Sequence, residues 1–197
     1  IIIDKIVKHF KNNEKGILII PCGVGKTLIS LWSVEKLNSD TILIGVPNKL
    51  LLEQWKEIIC IIFPNTPYLK VSGGVDIENI ITFLKNNKKC IVITTYYSSH
   101  KVYNSTEKIN YIFDIKINDE THHLTASNII KEENKTFINM LKIKSKKQLS
   151  LTATLKLLEN KENKREEDII ISNDNIEYFG EIIERKSLLW AINKNIV

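Results

Sequence analysis

The chain has 197 residues, 43% of them hydrophobic, with a net charge of +5 and an isoelectric point near 9.0. That length supports one sizeable core, and none of its apolar runs, Ile58 to Phe63 among the longest, approaches a membrane span, so no membrane partner is expected. Cys22, Cys60 and Cys90 are odd in number and widely spaced. They suit buried, reduced thiols of an intracellular protein, cytoplasmic or nuclear, better than a disulfide frame or a zinc site. With Lys5 and Lys8 in the first turns no signal peptide is expected, and the basic excess favours a polyanionic partner.

In chain order, Ile3 with Val7 and Ile6 with Phe10 pair at i,i+4 and predict a short amphipathic helix ending in Lys11 to Gly16. Ile17 to Ile20 predicts a buried strand, which breaks into Pro21-Cys22-Gly23-Val24-Gly25-Lys26-Thr27 and a helix through Leu28, Leu31, Trp32 and Leu37. Thr41 to Val46 predicts a second strand, closed by Pro47-Asn48 before a helix carrying Leu51, Leu52, Trp55, Ile58, Ile59 and Ile62. Tyr68 to Val71 predicts a third, followed by the turn Ser72-Gly73-Gly74 and a helix marked by Ile77, Ile80, Ile81 and Leu84. Cys90 to Thr94, Ile112 to Ile117 and Gln148 to Leu151 are further strands; the last two run into Asp119-Glu120-Thr121-His122-His123 and Thr152-Ala153-Thr154. Leu157 to Asp168 is charge-dense and reads as a solvated loop, Ile176 to Ile183 as a late strand, and Leu188, Leu189 and Ile192 as a closing helix.

Repeated strand-helix alternation predicts an α/β fold of three layers, a mostly parallel central sheet flanked by helices. Right-handed crossovers gather the strand C-termini, with the glycine, Asp-Glu and Thr-Ala-Thr turns, along one edge. Asp114, Lys116 and Asn118 alternate along a strand that should be apolar on both faces, which predicts that one side of it is exposed.

The chemistry concentrates in two places. Gly23 and Gly25 let the backbone curl so that successive N–H groups face phosphate oxygens, with the positive end of a helix behind them; Lys26 reaches the β- and γ-phosphates and Thr27 holds Mg²⁺. Asp119 and Glu120 follow an apolar strand, where Asp119 complements Thr27 on the cation and Glu120 orients or deprotonates the attacking water. The plainer readings are a strand-to-helix turn that happens to spell Gly-Lys-Thr, and an Asp119 that caps the next segment. His122-His123 lacks the spaced ligands of a zinc site.

Pro21 to Thr27, with Ile20 where the full phosphate-loop pattern has glycine, resembles motif I of superfamily 2 helicases and translocases. Asp119-Glu120-Thr121-His122 looks like the DExH motif II of their restriction-enzyme-like branch, and Thr152-Ala153-Thr154 resembles motif III. Val46-Pro47-Asn48 with Leu51, Gln54 and Trp55 resembles motif Ia, Ile93-Thr94-Thr95-Tyr96 resembles a later nucleic-acid-backbone motif, and Tyr178-Phe179-Gly180 to Ile192 resembles the tail leading to a second domain. The resemblance implies that residues 1–197 are the N-terminal RecA-like P-loop NTPase domain of a longer chain whose second RecA-like domain is missing, as a start at Ile1 and a stop at Val197 also suggest.

It implies ATP and Mg²⁺ as cofactors, with Lys26, Asp119, Glu120 and His122 catalytic, Pro21 to Thr27 on the nucleotide, and Thr27 with Asp119 on the metal. DNA or RNA is the implied partner, engaged or coupled through Pro47, Asn48, Gln54, Gly73, Gly74, Thr94, Thr95, Thr152, Ala153 and Thr154. The implied activity is an ATP-driven helicase or translocase, nearly inactive without the arginines of its second domain, since Arg165 and Arg185 lie in no matching motif. A non-catalytic nucleic-acid-binding module with the same fold, and the motor of a restriction system, are the alternatives. Trp55 with Leu51 reads first as core and Gln54 as solvated, and for Tyr96 and Tyr97 packing is preferred to base stacking. Leu155 replaces the family's usual proline, and without a glutamine motif adenine recognition is not implied.

Overall fold

The apolar runs become strands β1 (Lys15–Ile19), β2 (Thr41–Val46), β3 (Tyr68–Val71), β4 (Cys90–Thr95), β5 (Phe113–Asn118), β6 (Ser145–Thr152) and β7 (Glu181–Arg185). In the computed structural model, which describes residues 1–125, 136–155 and 172–194, they form one sheet of seven strands in the order β3-β4-β2-β5-β6-β1-β7, every pair parallel. Helices α1 (Ile2–His9), α2 (Lys26–Lys36) and α3 (Lys49–Ile62) cover one face. Helices α4 (Ile77–Asn86), α5 (Ser99–Ile109) and α6 (Ile138–Lys142) cover the other. The short α7 (Ile176–Phe179) and α8 (Leu188–Asn193) flank β7.

Burial on both faces is why β2 and β4 are apolar almost throughout. Ile42, Ile44 and Val46 face Leu31, Val34, Leu52 and Trp55, while Leu43 and Val92 face Ile80, Leu84 and Val102. Helix α3 starts where Asn48 accepts the Leu51 N–H at 2.9 Å, and α4 where Asp76 accepts that of Asn79 at 2.8 Å. Helix α5 is not marked by apolar periodicity because hydroxyls occupy its buried face; Ser99, Ser105 and Thr106 pack inward, Ser105 and Thr106 bonding back to the carbonyls of Lys101 and Tyr103.

Three expectations are corrected. The stretch read as a strand from Ile176 begins as α7, which Asn175 caps by accepting the Glu177 N–H at 3.0 Å. Gly180 (φ 78°) then turns the chain against the backbone of Lys15, and only Glu181–Arg185 is strand. Of the cysteines only Cys90 is buried; Cys22 and Cys60 are exposed.

Strand β5 has no exposed side. Asp114 Oδ2 accepts bonds from the Asp40 and Thr41 amides and the Thr41 hydroxyl at 2.9–3.1 Å, and its Oδ1 meets Lys146 at 2.7 Å. It therefore staples β5 to the start of β2. Lys116, buried, donates to the carbonyls of Met140, Leu141 and Ile143 at the C-terminal end of α6. Asn118, fully buried, has a partner for neither side-chain polar atom. The predicted loop Leu157 to Asp168 and Arg165 lie outside the described residues.

Candidate functional site

Because every strand runs the same way, the turn after β1, the acids after β5 and the Thr-Ala-Thr turn after β6 share one edge of the sheet, with β6 between the other two. At the turn, Gly23 (φ 83°) and Gly25 (φ 87°) adopt the left-handed conformation that a side chain would oppose. Gly25 is the N-cap of α2, and no side chain caps the helix, so its first amides face the turn. Pro21 is buried beneath the turn, Cys22 and Gly23 are exposed, and Val24 to Thr27 are half-buried.

The Lys26 ammonium leans across β6 to within 3.4 Å of Glu120 Oε1 and lies 3.8 Å from Cys22 Sγ. The two side chains are only 10% and 19% exposed. The turn and the acids therefore meet at one place. Thr27 stands in the first turn of α2 beside Lys26.

Asp119 continues β5 by one residue, its N–H bonded to the Gly45 carbonyl at 2.9 Å, and is 5% exposed. Its Oδ1 accepts the Glu120 N–H at 2.9 Å and its Oδ2 accepts the indole N–H of Trp55 at 2.8 Å. Burial lifts this carboxyl above the usual carboxylate range, against the Trp55 bond and the Lys26 charge, which lower it. Tyr96, fully buried, donates its hydroxyl to the Asp119 carbonyl; burial, then the charges of Asp119 and Glu120, hold that phenol well above its ordinary range. Asp119 is thus not a helix cap.

Glu120 sits in the left-handed region at φ 50°, uncommon for a side chain of its size, which turns its carboxylate toward Lys26 on one side and His122 Nδ1, at 3.4 Å, on the other. His122 Nδ1 is also 3.3 Å from Thr152 Oγ1, whose hydroxyl donates to the Thr154 carbonyl at 2.7 Å. The hydrogen-bond roles therefore assign the proton of a neutral His122 to Nδ1. Thr152 is buried, Ala153 half-buried and Thr154 exposed, so motif III touches motif II through one hydroxyl.

The remaining predicted residues follow or end β2, β3 and β4 on the same edge, except Gln54, which lies on α3. Pro47 is half-buried, and Asn48, Gln54, Gly73 and Gly74 are exposed. Thr94 and Thr95 are buried: the Thr94 hydroxyl donates to the carbonyls of Val71 and Thr95, and that of Thr95 accepts the Ser98 N–H. Their side chains are engaged inside the protein, and the exposed aromatic of this stretch is Tyr97.

Two polar contacts of the site were not foreseen, the Trp55 N–H and the Tyr96 hydroxyl. The signal was present, because a buried indole or phenol needs a hydrogen-bond partner. Asn173, buried, adds a third by donating to the Thr121 carbonyl at 3.3 Å; nothing in the sequence pointed to it.

The model of a family described as Type III restriction enzyme, res subunit, matches residues 1–157. Over 120 residues the chain is 32% identical to the DNA 3'-5' translocase XPB2 of Sulfurisphaera tokodaii, covering 61% of this chain and 24% of that protein. Over 125 residues it is 30% identical to the general transcription and DNA repair factor IIH helicase/translocase subunit XPB of Enterocytozoon bieneusi, covering 57% and 20%. The chain thus spans about a quarter or less of the length of these curated relatives. Among solved structures, the ATP-dependent Type ISP restriction-modification enzyme LlaBIII bound to DNA superposes with a TM-score of 0.79 at 22% identity, over 98% of this chain and 15% of that one. The Pyrococcus furiosus Hef helicase domain gives 0.60 at 20%, over 94% and 37%. These two likenesses show a shared RecA-like fold. The match over residues 1–157, on a chain that carries both a phosphate-loop turn and a DExH sequence, shows that it belongs to the Type III restriction enzyme res subunit family, in the restriction-enzyme-like branch of superfamily 2.

Proposed function

We propose that this chain is the nucleotide-binding half of a motor that couples ATP hydrolysis to movement along, or unwinding of, DNA or RNA. The meeting of Lys26 and Glu120 at 3.4 Å beside the glycine turn carries this reading, because it puts a phosphate-binding cation and a water-orienting carboxylate in one hollow. The α2 amides and Lys26 hold the triphosphate. Glu120 aligns water, and His122, bonded to both Glu120 and Thr152, relays the state of the site to the Thr-Ala-Thr turn.

Among the described residues no three His, Cys, Asp or Glu side chains form a metal-binding group. A cation here is held by the Thr27 hydroxyl and Asp119 alone, with phosphate oxygens and water completing the shell, which fits Mg²⁺. When bound, Mg²⁺ neutralises charge on the transferring phosphoryl group.

Pro47, Asn48, Gln54, Gly73 and Gly74 guide a nucleic-acid strand along the β2-β3-β4 half of the edge, beside the nucleotide, with Thr94 and Thr95 buried beneath it as support rather than contact, and Thr152, Ala153 and Thr154 couple the two. The names of the relatives favour a DNA translocase, and the family description favours the motor of a restriction system; either reading fits an intracellular protein. A second RecA-like domain in the same polypeptide supplies the arginines this half lacks. The chain alone therefore binds ATP weakly and turns it over very slowly.

Titration of a fluorescent ATP analogue into the purified chain tests this. Binding that Mg²⁺ strengthens and Lys26→Ala abolishes is expected. A folded chain that takes oligonucleotide and no nucleotide would instead be a non-catalytic nucleic-acid-binding module. Hydrolysis at an ordinary helicase rate would contradict the need for a second domain.

A further inference from the structure

We propose that Trp55 and Tyr96 are positioning residues, two buried arms that tie the nucleic-acid edge of the sheet to the cation-binding acid Asp119. The inference rests on the reading of the site as a nucleic-acid-coupled ATPase and adds the route of the coupling.

Both stretches assigned to nucleic-acid contact end in one buried aromatic residue, and both aromatics reach the same amino acid. Trp55 stands seven residues beyond Asn48 on α3, two turns along a helix of 14 residues whose outer face exposes Asn48, Lys49 and Gln54. Its indole N–H meets Asp119 Oδ2 at 2.8 Å. Tyr96 directly follows Thr94-Thr95 and precedes the exposed Tyr97 and α5; its hydroxyl binds the Asp119 carbonyl. Trp55 is 1% exposed, Tyr96 0% and Asp119 5%.

Packing alone does not explain these two polar groups, since an apolar ring of phenylalanine would fill the place of Tyr96, and apolar side chains would cover the indole N–H of Trp55 as readily as a carboxylate does. The indole and phenol protons settle on opposite ends of one residue, side chain and main chain. Among the described residues, the other bond to the Asp119 carboxylate is the local one from the Glu120 amide. Two backbone bonds complete the frame: Tyr96 N–H to the Val46 carbonyl at 2.8 Å, and Asp119 N–H to the Gly45 carbonyl at 2.9 Å. Residues 45–46 lead straight into Pro47-Asn48.

A nucleic-acid strand lying on the start of α3 and on the turn after β4, where Tyr97 is exposed, thereby bears on both arms. Close-packed interiors shift as units, so a displacement at the edge of the sheet moves the carboxylate that must face the cation. By reciprocity, a cation held by Asp119 biases the edge toward the strand-bound arrangement.

The test uses Tyr96→Phe, which keeps the ring and removes only the hydroxyl, and Trp55→Phe, which keeps a smaller aromatic ring without the N–H, with a cooperative melting transition as the check on folding. A fluorescent ATP analogue is titrated in EDTA and in Mg²⁺, with and without a single-stranded 20-mer of DNA or of RNA. In the wild type, Mg²⁺ tightens nucleotide binding and the oligonucleotide changes that gain several-fold, a usual size for coupling between sites. In each variant the affinity in EDTA is expected to stay within about twofold of wild type. The gain from Mg²⁺ drops about tenfold in Trp55→Phe, which loses a hydrogen bond to a charged group, and about threefold in Tyr96→Phe, which loses one to a neutral carbonyl, and in both the effect of the oligonucleotide shrinks toward one.

An unchanged gain and an unchanged oligonucleotide effect in both variants would overturn the inference. So would affinities that fall in parallel with and without Mg²⁺, which mark a general loss of structure. If Trp55→Phe does not fold, Tyr96→Phe alone decides. A wild type that binds no nucleotide overturns the motor reading itself, and this inference with it; a wild type that binds while the variants match it overturns only the inference.

Discussion

Glu120→Gln is expected to tighten nucleotide binding while removing hydrolysis. Without a nucleotide, Glu120 Oε1 is within 3.4 Å of the Lys26 ammonium, so phosphate oxygens compete with a carboxylate for that cation. At an effective dielectric near 20 this separation corresponds to about 5 kcal/mol of attraction, a ceiling from which the desolvation of both ions subtracts. The side chains are 10% and 19% exposed, between the open pairs worth under about 1 kcal/mol and the sealed ones whose disruption costs about 3–5 kcal/mol. A net value of about 1–2 kcal/mol follows. Glutamine keeps the shape of the side chain and removes its charge, so it releases Lys26 to the phosphates, and the affinity for the ATP analogue in EDTA should rise about 5- to 30-fold. The assay is a fluorescence titration of wild type and variant at low salt and again at high salt, where the partly buried pair is screened only weakly. The titration reads the binding half of the prediction, since hydrolysis by this chain alone is already very slow; a Glu120→Gln chain that binds the Mg²⁺-free analogue no tighter than wild type, while melting normally, would refute the competition argument.

Three further outcomes follow from buried or reactive groups. Burial pushes the Lys116 ammonium down from 10.5 to about 7, so below pH 7 folded and unfolded chains both hold the proton and the penalty is complete. Above pH 7 only the unfolded chain keeps it, and stability rises with pH, by at most about 5 kcal/mol before the three carbonyl bonds are counted. Lys116→Met should flatten this slope in urea melts between pH 7 and 9.5, below the range where the raised Tyr96 and Tyr111 phenols begin to lower stability; parallel profiles would count against it. Asn118→Val removes two unpaired buried polar atoms in favour of an apolar β-branched side chain and should stabilise the chain by about 1–3 kcal/mol, read as a melting temperature higher by about 2–10 °C. A thiol reagent should label the exposed Cys22 and Cys60 quickly and the buried Cys90 slowly; the ATP analogue should protect Cys22 alone, and equal protection of Cys60 would argue against a nucleotide on the glycine turn.

The limits of β2 were legible to the residue because a strand buried on both faces has no choice but to be apolar, with its ends marked by Asp40 and Pro47; those of the partly exposed edge strand β3 were legible because Pro67 and Gly73 flank it. The phosphate turn and the Asp-Glu pair were legible for another reason: their chemistry demands particular groups at particular places, and few sequences supply both in that order. Helix α5 was not, since Ser99, Ser105 and Thr106 reach the interior by bonding their hydroxyls to nearby carbonyls, leaving no apolar stripe to count. Trp55 and Tyr96 were read correctly as buried and incompletely as packing. Which acceptor an indole N–H finds depends on a strand more than sixty residues away, and spacing along α3 carries no trace of it.

The misreading of β5 follows from an inference that holds for most central strands, that polar alternation means exposure. Here each polar residue on the strand meets a different demand. Asp114 joins β5 to β2 where the first backbone amides of β2 need an acceptor, and Lys116 satisfies carbonyls at the end of a helix too short to leave them to solvent. Both are answered inside the protein, so their polarity is structural. Asn118 is answered by nothing, although its neighbours in the sheet, Gly45 and Ser150, leave it in the same covered layer. A strand selected for stability alone would carry valine there. Local rules fail in two distinct ways along six residues, first because a partner exists that the sequence does not reveal, and then, at the position before Asp119, because an unpaired polar group stands where stability alone would exclude it, next to the acid proposed to hold the cation.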